Sequence, residues 1–128
     1  MLQQENRLRK KRDIEITFEQ GRFIGGQLLN LKVWKIDPLQ YPRRRYMSDE
    51  LKFSFVVGVK IEKKAVGRNR LKRQMREVVR LLLKDHKIKT GFFVLVMAKK
   101  EMIGKEYREI EKDMIFILRR SGLLDRSV

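Results

Sequence analysis

The chain has 128 residues, with 32 Lys and Arg against 16 Asp and Glu, for a formal net charge of +16 at neutral pH. Hydrophobic residues make up 42%, too many for a disordered basic tail, so one domain with a real core is expected. There is no Cys and a single His, which excludes disulfides, thiolate metal sites and any chemistry needing two imidazoles.

Residues 1–12 read as a basic arm, with Arg7, Arg9, Lys10, Lys11 and Arg12 against Glu5. A single α+β domain, 13–128, is expected to follow. Asp13 can cap a short helix to about Gln20, with Ile14 and Phe18 one turn apart on its inner side and Gly21 ending it. Gln27 to Ile36 is strand-like, Leu29, Leu31 and Val33 alternating with Asn30, Lys32 and Trp34. Asp37 to Glu50 holds both prolines and Arg43-Arg44-Arg45, and reads as a mobile loop. Leu51 to Val59 is a second strand, with Phe53, Phe55, Val57 and Val59 on one face. A long basic helix ends near His86. Gly91 to Ala98 is a buried strand, and a last helix runs from about Gly104 to Arg120 with Gly122 as its C-terminal cap. The apolar run Phe92 to Ala98 is far too short to span a bilayer, which needs about 20 residues. A soluble, cytoplasmic protein with no membrane association is therefore expected, and nothing implies a protein partner.

The basic helix carries the functional signal. Between Lys60 and Lys84 lie ten Lys or Arg and two acids, Glu62 and Glu77. At about 100° per residue, Leu71, Met75, Val78, Val79 and Leu82 share one arc roughly 100° wide. The opposite side collects Asn69, Arg70, Lys72, Arg73, Arg76, Arg80 and Lys84. A face that serves solubility alone mixes signs, as the last helix does with Lys105, Arg108 and Lys112 among Glu106, Glu109, Glu111 and Asp113. So large an excess of one sign destabilises a compact chain. A polyanionic partner is the natural counter-charge, nucleic acid before a membrane surface or an acidic protein. Asn69 reads either as a helix N-cap or as a contact residue. Phe18 and Trp34 read as core on composition alone, and Lys60, Lys63 and Lys64 extend the basic surface. The acids show no convergent cluster of the kind two-metal hydrolysis requires.

The segment Lys63-Lys64-Ala65-Val66-Gly67-Arg68-Asn69-Arg70-Leu71-Lys72-Arg73-Gln74-Met75-Arg76 resembles the signature of the bacterial ribonuclease P protein component: a lysine-rich turn, an Ala-Val pair, then Arg-Asn-Arg-x-Lys-Arg-x-x-Arg. The likeness covers roughly residues 6 to 122. It departs from the pattern in lacking a glycine among Lys60-Ile61-Glu62-Lys63-Lys64, in having Ile14 at an aromatic position, and in the length of the loop from Asp37 to Glu50.

The resemblance implies an α+β two-layer sandwich, with a central, mostly antiparallel four-stranded sheet packed by about three helices. A left-handed βαβ crossover would contain the signature helix. It also implies a non-catalytic subunit of a ribonucleoprotein endoribonuclease, in which a catalytic RNA with bound Mg2+ cuts precursor tRNA to its mature 5′ end. Carried over by position, Arg68, Asn69, Arg70, Lys72, Arg73 and Arg76 face the catalytic RNA, and Arg80 extends their face. The 5′ leader would meet Phe18, Lys60 and the first long strand, at Lys32 or Trp34, with Lys63, Lys64, Arg9 and Lys10 adjoining. No catalytic residue and no metal ligand is assigned to the protein. The alternative is a structural RNA-binding protein of ribosomal type.

Overall fold

A computed structural model describes residues 2–85 and 87–125; His86 lies outside the described residues. In chain order the elements are α1 (Lys11–Gln20), β1 (Arg22–Gly25), β2 (Leu29–Lys35), β3 (Leu51–Val56), α2 (Ala65–Lys84), β4 (Phe92–Ala98) and α3 (Tyr107–Ser121). The sheet order is β1-β2-β4-β3. Its β1–β2 and β2–β4 pairs are antiparallel and its β3–β4 pair parallel. Parallel neighbours cannot be joined by a tight turn, and α2 is the crossover that joins them.

Alternation along the strands divides the interior in two. Leu29, Leu31, Val33, Phe53, Val94 and Val96 point to one face, where Met75, Val78 and Val79 of α2 and Ile110, Met114 and Ile117 of α3 cover them. Trp34, Ile36, Phe93 and Leu95 point to the other face, where Ile16 of α1 and Leu8 pack with Tyr46. The α2 stripe buried on the sheet is Leu71, Met75, Val78, Val79 and Leu82, the five residues that helical periodicity selects. Emptying one such site, as in Met75→Ala, costs about 2–5 kcal/mol.

β1 was not expected. It is four residues long, too short to show alternation, and pairs with β2 through a hairpin at Gly25-Gly26-Gln27. That hairpin is held from outside by Asp113 of α3, whose carboxylate accepts the backbone N–H of Gln27, Leu28 and Leu29 at 3.1, 2.9 and 3.0 Å. Only glycine fits at position 26, since a Cβ there would lie 2.5 Å from Ile117 Cγ2 and 2.8 Å from Asp113 Oδ2. Asp113 is therefore an anchor for a turn rather than one more charge on a mixed face.

Several boundaries shift for local reasons. β3 stops at Val56 because the chain turns at Gly58, whose carbonyl accepts from both Ile61 and Glu62; Val59 is consequently exposed. α3 begins at Tyr107, where Glu106 and Glu109 form a reciprocal capping box, and closes on Gly122 at φ +87°, the cap expected there.

The segment before α1 is docked. Leu8 N–H donates to Phe53 O at 2.8 Å and Asn6 Nδ2 to Leu51 O at 2.8 Å. Leu2 and Leu8 are buried, so the segment covers the otherwise bare edge of β3.

The loop from 37 to 50, expected to be mobile, is pinned. Tyr46 is buried against Trp34 and Phe93, with ring centroids at 5.6 and 5.2 Å. Its hydroxyl donates to Asp13 Oδ1 at 2.6 Å, and Arg44 reaches the same oxygen through Nε and Nη2 at 3.0 and 2.6 Å. Burial and the bond to Asp13 push the Tyr46 phenol up to about 12.

Candidate nucleic-acid interface

α2 presents its charges along about 30 Å of helix. Asn69, Arg70 and Arg73 are exposed, and Lys72 and Arg76 lie half-buried along one flank. Asn69 is not an N-cap, because the helix begins four residues earlier at Ala65, with Lys64 in the cap position. The guanidinium of Arg76 sits 5.9 Å from the ring centroid of Phe55 on β3, which fixes that flank against the sheet edge.

Two members of the expected set are partly engaged within the protein. Arg68 Nη1 donates to the carbonyls of Glu62 and Lys63 at 3.1 and 2.6 Å, tying the first turn of α2 to the loop before it. Arg80 makes two bonds to Glu77, at 2.6 and 3.0 Å. That contact holds the Glu77 carboxyl below its ordinary range, so Arg80 contributes little uncompensated charge. The free cationic ridge is Arg70, Arg73, Lys72 and Arg76, with the remaining donors of Arg68.

The second surface is the part of the sheet that α1 leaves open. Strand register puts Phe23, Lys32, Leu95 and Ser54 in one cross-strand row, and Gly25, Asn30, Met97 and Val56 in the next, both on the α1 side. Phe18 of α1 and Phe23 of β1 are 56% and 57% exposed. Lys32 lies beside both: it is the register partner of Phe23, and its ammonium is 5.5 Å from the Phe18 ring centroid. Two exposed rings around one cation suit a single-stranded nucleic acid, since bases stack on the rings and a phosphate meets the charge.

Of the two strand residues, Lys32 therefore occupies the open groove. Trp34 does not: it is 5% exposed, beneath Tyr41, Tyr46 and Phe93, with no face left for a base. Phe18, which composition assigned to the core, is at the surface.

The other expected leader residues fall in two further places. Lys60, Lys63 and Lys64 are exposed in the turn between β3 and α2, a few residues beyond Val56. Arg9 and Lys10 precede α1, about 12 Å of helix away from Phe18. Phe23, Asn30, Val56 and Met97 escaped the sequence reading because their face is defined only once β1 is recognised. The Gly25-Gly26 pair, a hairpin signal, was the available clue.

Among the described residues, no three His, Asp or Glu side chains are grouped so as to hold a metal ion. Among the same residues, no helix is long and apolar enough to cross a membrane.

Comparison with known proteins agrees over nearly the whole chain. The family model described as Ribonuclease P matches residues 2–122. The "Ribonuclease P protein component" of Pseudanabaena sp. (strain PCC 6903) is 32% identical over 124 residues, covering 97% of this chain and 97% of that protein. The protein of the same description from Clostridium botulinum (strain 657 / Type Ba4) is 30% identical over 122 residues, covering 93% and 96%. Among solved structures, the ribonuclease P protein of Thermotoga maritima superposes with a TM-score of 0.71 at 25% identity, over 90% of this chain and 96% of that one. That of Staphylococcus aureus superposes with a TM-score of 0.72 at 17% identity, over 93% and 97%, a likeness of fold. The chain belongs to the family of bacterial ribonuclease P protein components.

Proposed function

We propose that this protein grips the catalytic RNA of ribonuclease P through α2 and holds the 5′ leader of precursor tRNA across the open sheet face, assisting 5′-end maturation without reacting groups of its own. The observation that carries this reading is the asymmetry of α2. Its inner stripe is closed on the sheet, while Arg70, Lys72, Arg73 and Arg76 stand on one rigid ridge with no carboxylate within ion-pair distance among the described residues. Arginine forks hold phosphate oxygens bidentately, and a packed helix pre-orders them, so little entropy is lost when RNA binds.

The groove supplies the complementary half. Phe18 and Phe23 offer faces for unpaired bases, and Lys32 offers a charge between them. Lys60, Lys63 and Lys64 stand where the β3 end of this groove meets the start of α2, so one RNA strand leaving the groove meets a second set of cations. Mg2+ belongs to the RNA in this scheme, and the chain supplies positioning and charge. Cytoplasmic residence follows from the location of tRNA maturation in bacteria.

Reconstitution tests the reading. Added to a bacterial ribonuclease P RNA at physiological Mg2+, the protein should raise the rate of precursor-tRNA cleavage, and protein free of RNA should cleave nothing. Cleavage by the protein alone contradicts the proposal, as does recovery of ribosomal RNA in place of the catalytic RNA when the protein is captured from cells. Lys60→Ala should weaken binding of precursor tRNA more than of mature tRNA, because only the precursor carries a leader.

A further inference from the structure

A cleft of about 310 Å³ opens beside the start of α1, on the opposite side of the sheet from α2. Six cations line it, Arg7, Arg9, Lys10, Arg44, Arg45 and Lys52, against the carboxylates of Asp13 and Glu50. Both carboxylates are already engaged. Asp13 Oδ1 receives Arg44 and the Tyr46 hydroxyl, all at 3.0 Å or less. Glu50 has Lys52 Nζ at 3.7 Å and accepts Met47 N–H at 2.9 Å. Among the described residues, Arg7, Arg9, Lys10 and Arg45 have no carboxylate within ion-pair distance.

We infer that this cleft is a second phosphate-binding site for RNA, assembled in advance by the Asp13–Arg44–Tyr46 cluster. Like charges crowded around a small concavity repel one another, and a flexible loop would relax by moving its arginines apart. This loop cannot, because Tyr41 and Tyr46 are packed on Trp34 and Arg44 is tethered to α1. The repulsion is thus retained in the folded protein, and a bound phosphate relieves it. Asp13 acts as a positioning residue: it neutralises Arg44 and in doing so fixes where the neighbouring Arg45 stands.

The inference rests on the RNA-binding reading above and extends it to a segment that α2 and the open groove do not include. RNA phosphates could reach the cleft from either of two strands: the upstream leader, continuing past Phe18 along α1 towards Arg9 and Lys10, or the catalytic RNA itself.

The test uses the full chain carrying Lys10→Gln and Arg45→Asn together, two cations that line the cleft; asparagine tolerates the left-handed backbone of position 45, at φ 55°. Its affinity is measured over a range of salt for the catalytic RNA, and in the reconstituted holoenzyme for precursor tRNAs with short and long leaders. The expected result is that, for one of these RNAs, the slope of log affinity against log salt becomes shallower by about two, with affinity about tenfold or more weaker at moderate salt. A loss confined to long leaders assigns the site to the leader, and a loss in the catalytic RNA irrespective of leader assigns it there. Unchanged affinity and slope for every RNA overturns the site.

Arg70→Ala/Arg73→Ala serves as the control. If it weakens binding while the cleft variant does not, only the second site falls; if neither does, the RNA-binding reading falls as well. Asp13→Asn tests positioning, because it makes the protein more positive yet should weaken the same RNA contact. Stronger binding would reduce the cluster to bulk charge. Should that variant fail to fold, Tyr46→Phe removes one donor to the same carboxylate at constant charge and replaces it.

Discussion

α2 and α3 lie on the same face of the sheet, bury comparable apolar stripes and differ almost entirely in what they show to solvent. α2 buries Leu71, Met75, Val78, Val79 and Leu82, and α3 buries Ile110, Met114, Ile117 and Leu118. Outside, α2 carries a ridge of one sign with a single internal pair, Arg80–Glu77. α3 interleaves Arg108 and Lys112 with Glu109 and Glu111, and turns its one buried acid, Asp113, inward to hold the β1–β2 hairpin. Packing dictates only the inner stripe of each helix. The outer face is free of the fold's demands, so a strongly biased charge there points to a partner, whereas a balanced one does not.

The sharpest way to break this comparison is to remove matched charges from both helices. Arg70→Ala/Arg73→Ala on α2 should weaken catalytic-RNA binding by on the order of a hundredfold or more, since a hydrogen bond to a charged group contributes about 1.5–3 kcal/mol. The salt slope should become shallower by about two. Arg108→Ala/Lys112→Ala on α3 removes as many charges and should change affinity severalfold at most. Equal losses, read by filter binding at two salt concentrations, would mean that net charge rather than the α2 ridge holds the RNA.

Stability should invert the order. Asp113→Ala leaves three backbone N–H groups of the hairpin without their acceptor and should lower unfolding free energy by about 3 kcal/mol. Glu109→Ala removes half of a capping box and should cost about 1 kcal/mol. Arg73→Ala, which touches no core residue, should cost under about 0.5 kcal/mol. Urea titrations of the three would settle whether α3 is the structural helix and α2 the contact helix.

Much of this contrast was legible in the sequence, because both stripes follow a local period of 3.6. The α2 core positions, the Gly122 cap and the basic ridge needed no tertiary information. What escaped depends on residues far apart in the chain. Trp34, read as core on composition, is core; what escaped is its cover, since α1 and the loop carrying Tyr46 close over it and keep it out of the groove. The 37–50 loop has the prolines and arginines of a mobile segment, yet its tether, Asp13, lies 31 residues before Arg44. Phe18 has the opposite history: helical periodicity turns it inward, but the short β1 leaves the sheet beneath it uncovered. Arg80 was assigned to the ridge although Glu77, three residues earlier, neutralises it. That pairing was visible at helical spacing.

The open groove allows a finer test of where the RNA-contacting surface ends. Phe18→Ala and Phe23→Ala should each weaken long-leader precursor binding by about 1–3 kcal/mol, the range for loss of one stacked base, and leave mature tRNA unaffected. Both rings are more than half exposed, so neither change should lower stability by more than about 1 kcal/mol. A loss shared equally by precursor and mature tRNA would place these rings outside the leader path.

The smallest effect concerns the loop that closes over Trp34. The Tyr46 phenol is pushed up to about 12 by burial and by its bond to Asp13, so it binds its proton more tightly folded than unfolded. The stability this provides is complete below about pH 10, the unfolded phenol's range, and is lost as pH rises towards about 12. Absorbance at the phenolate band should show one of the three tyrosines ionising near that upper value, and Tyr46→Phe should delete that step. If the late step survives in the Tyr46→Phe variant, the phenol is not held by Asp13, and the loop is not fastened to α1 in the way its geometry indicates.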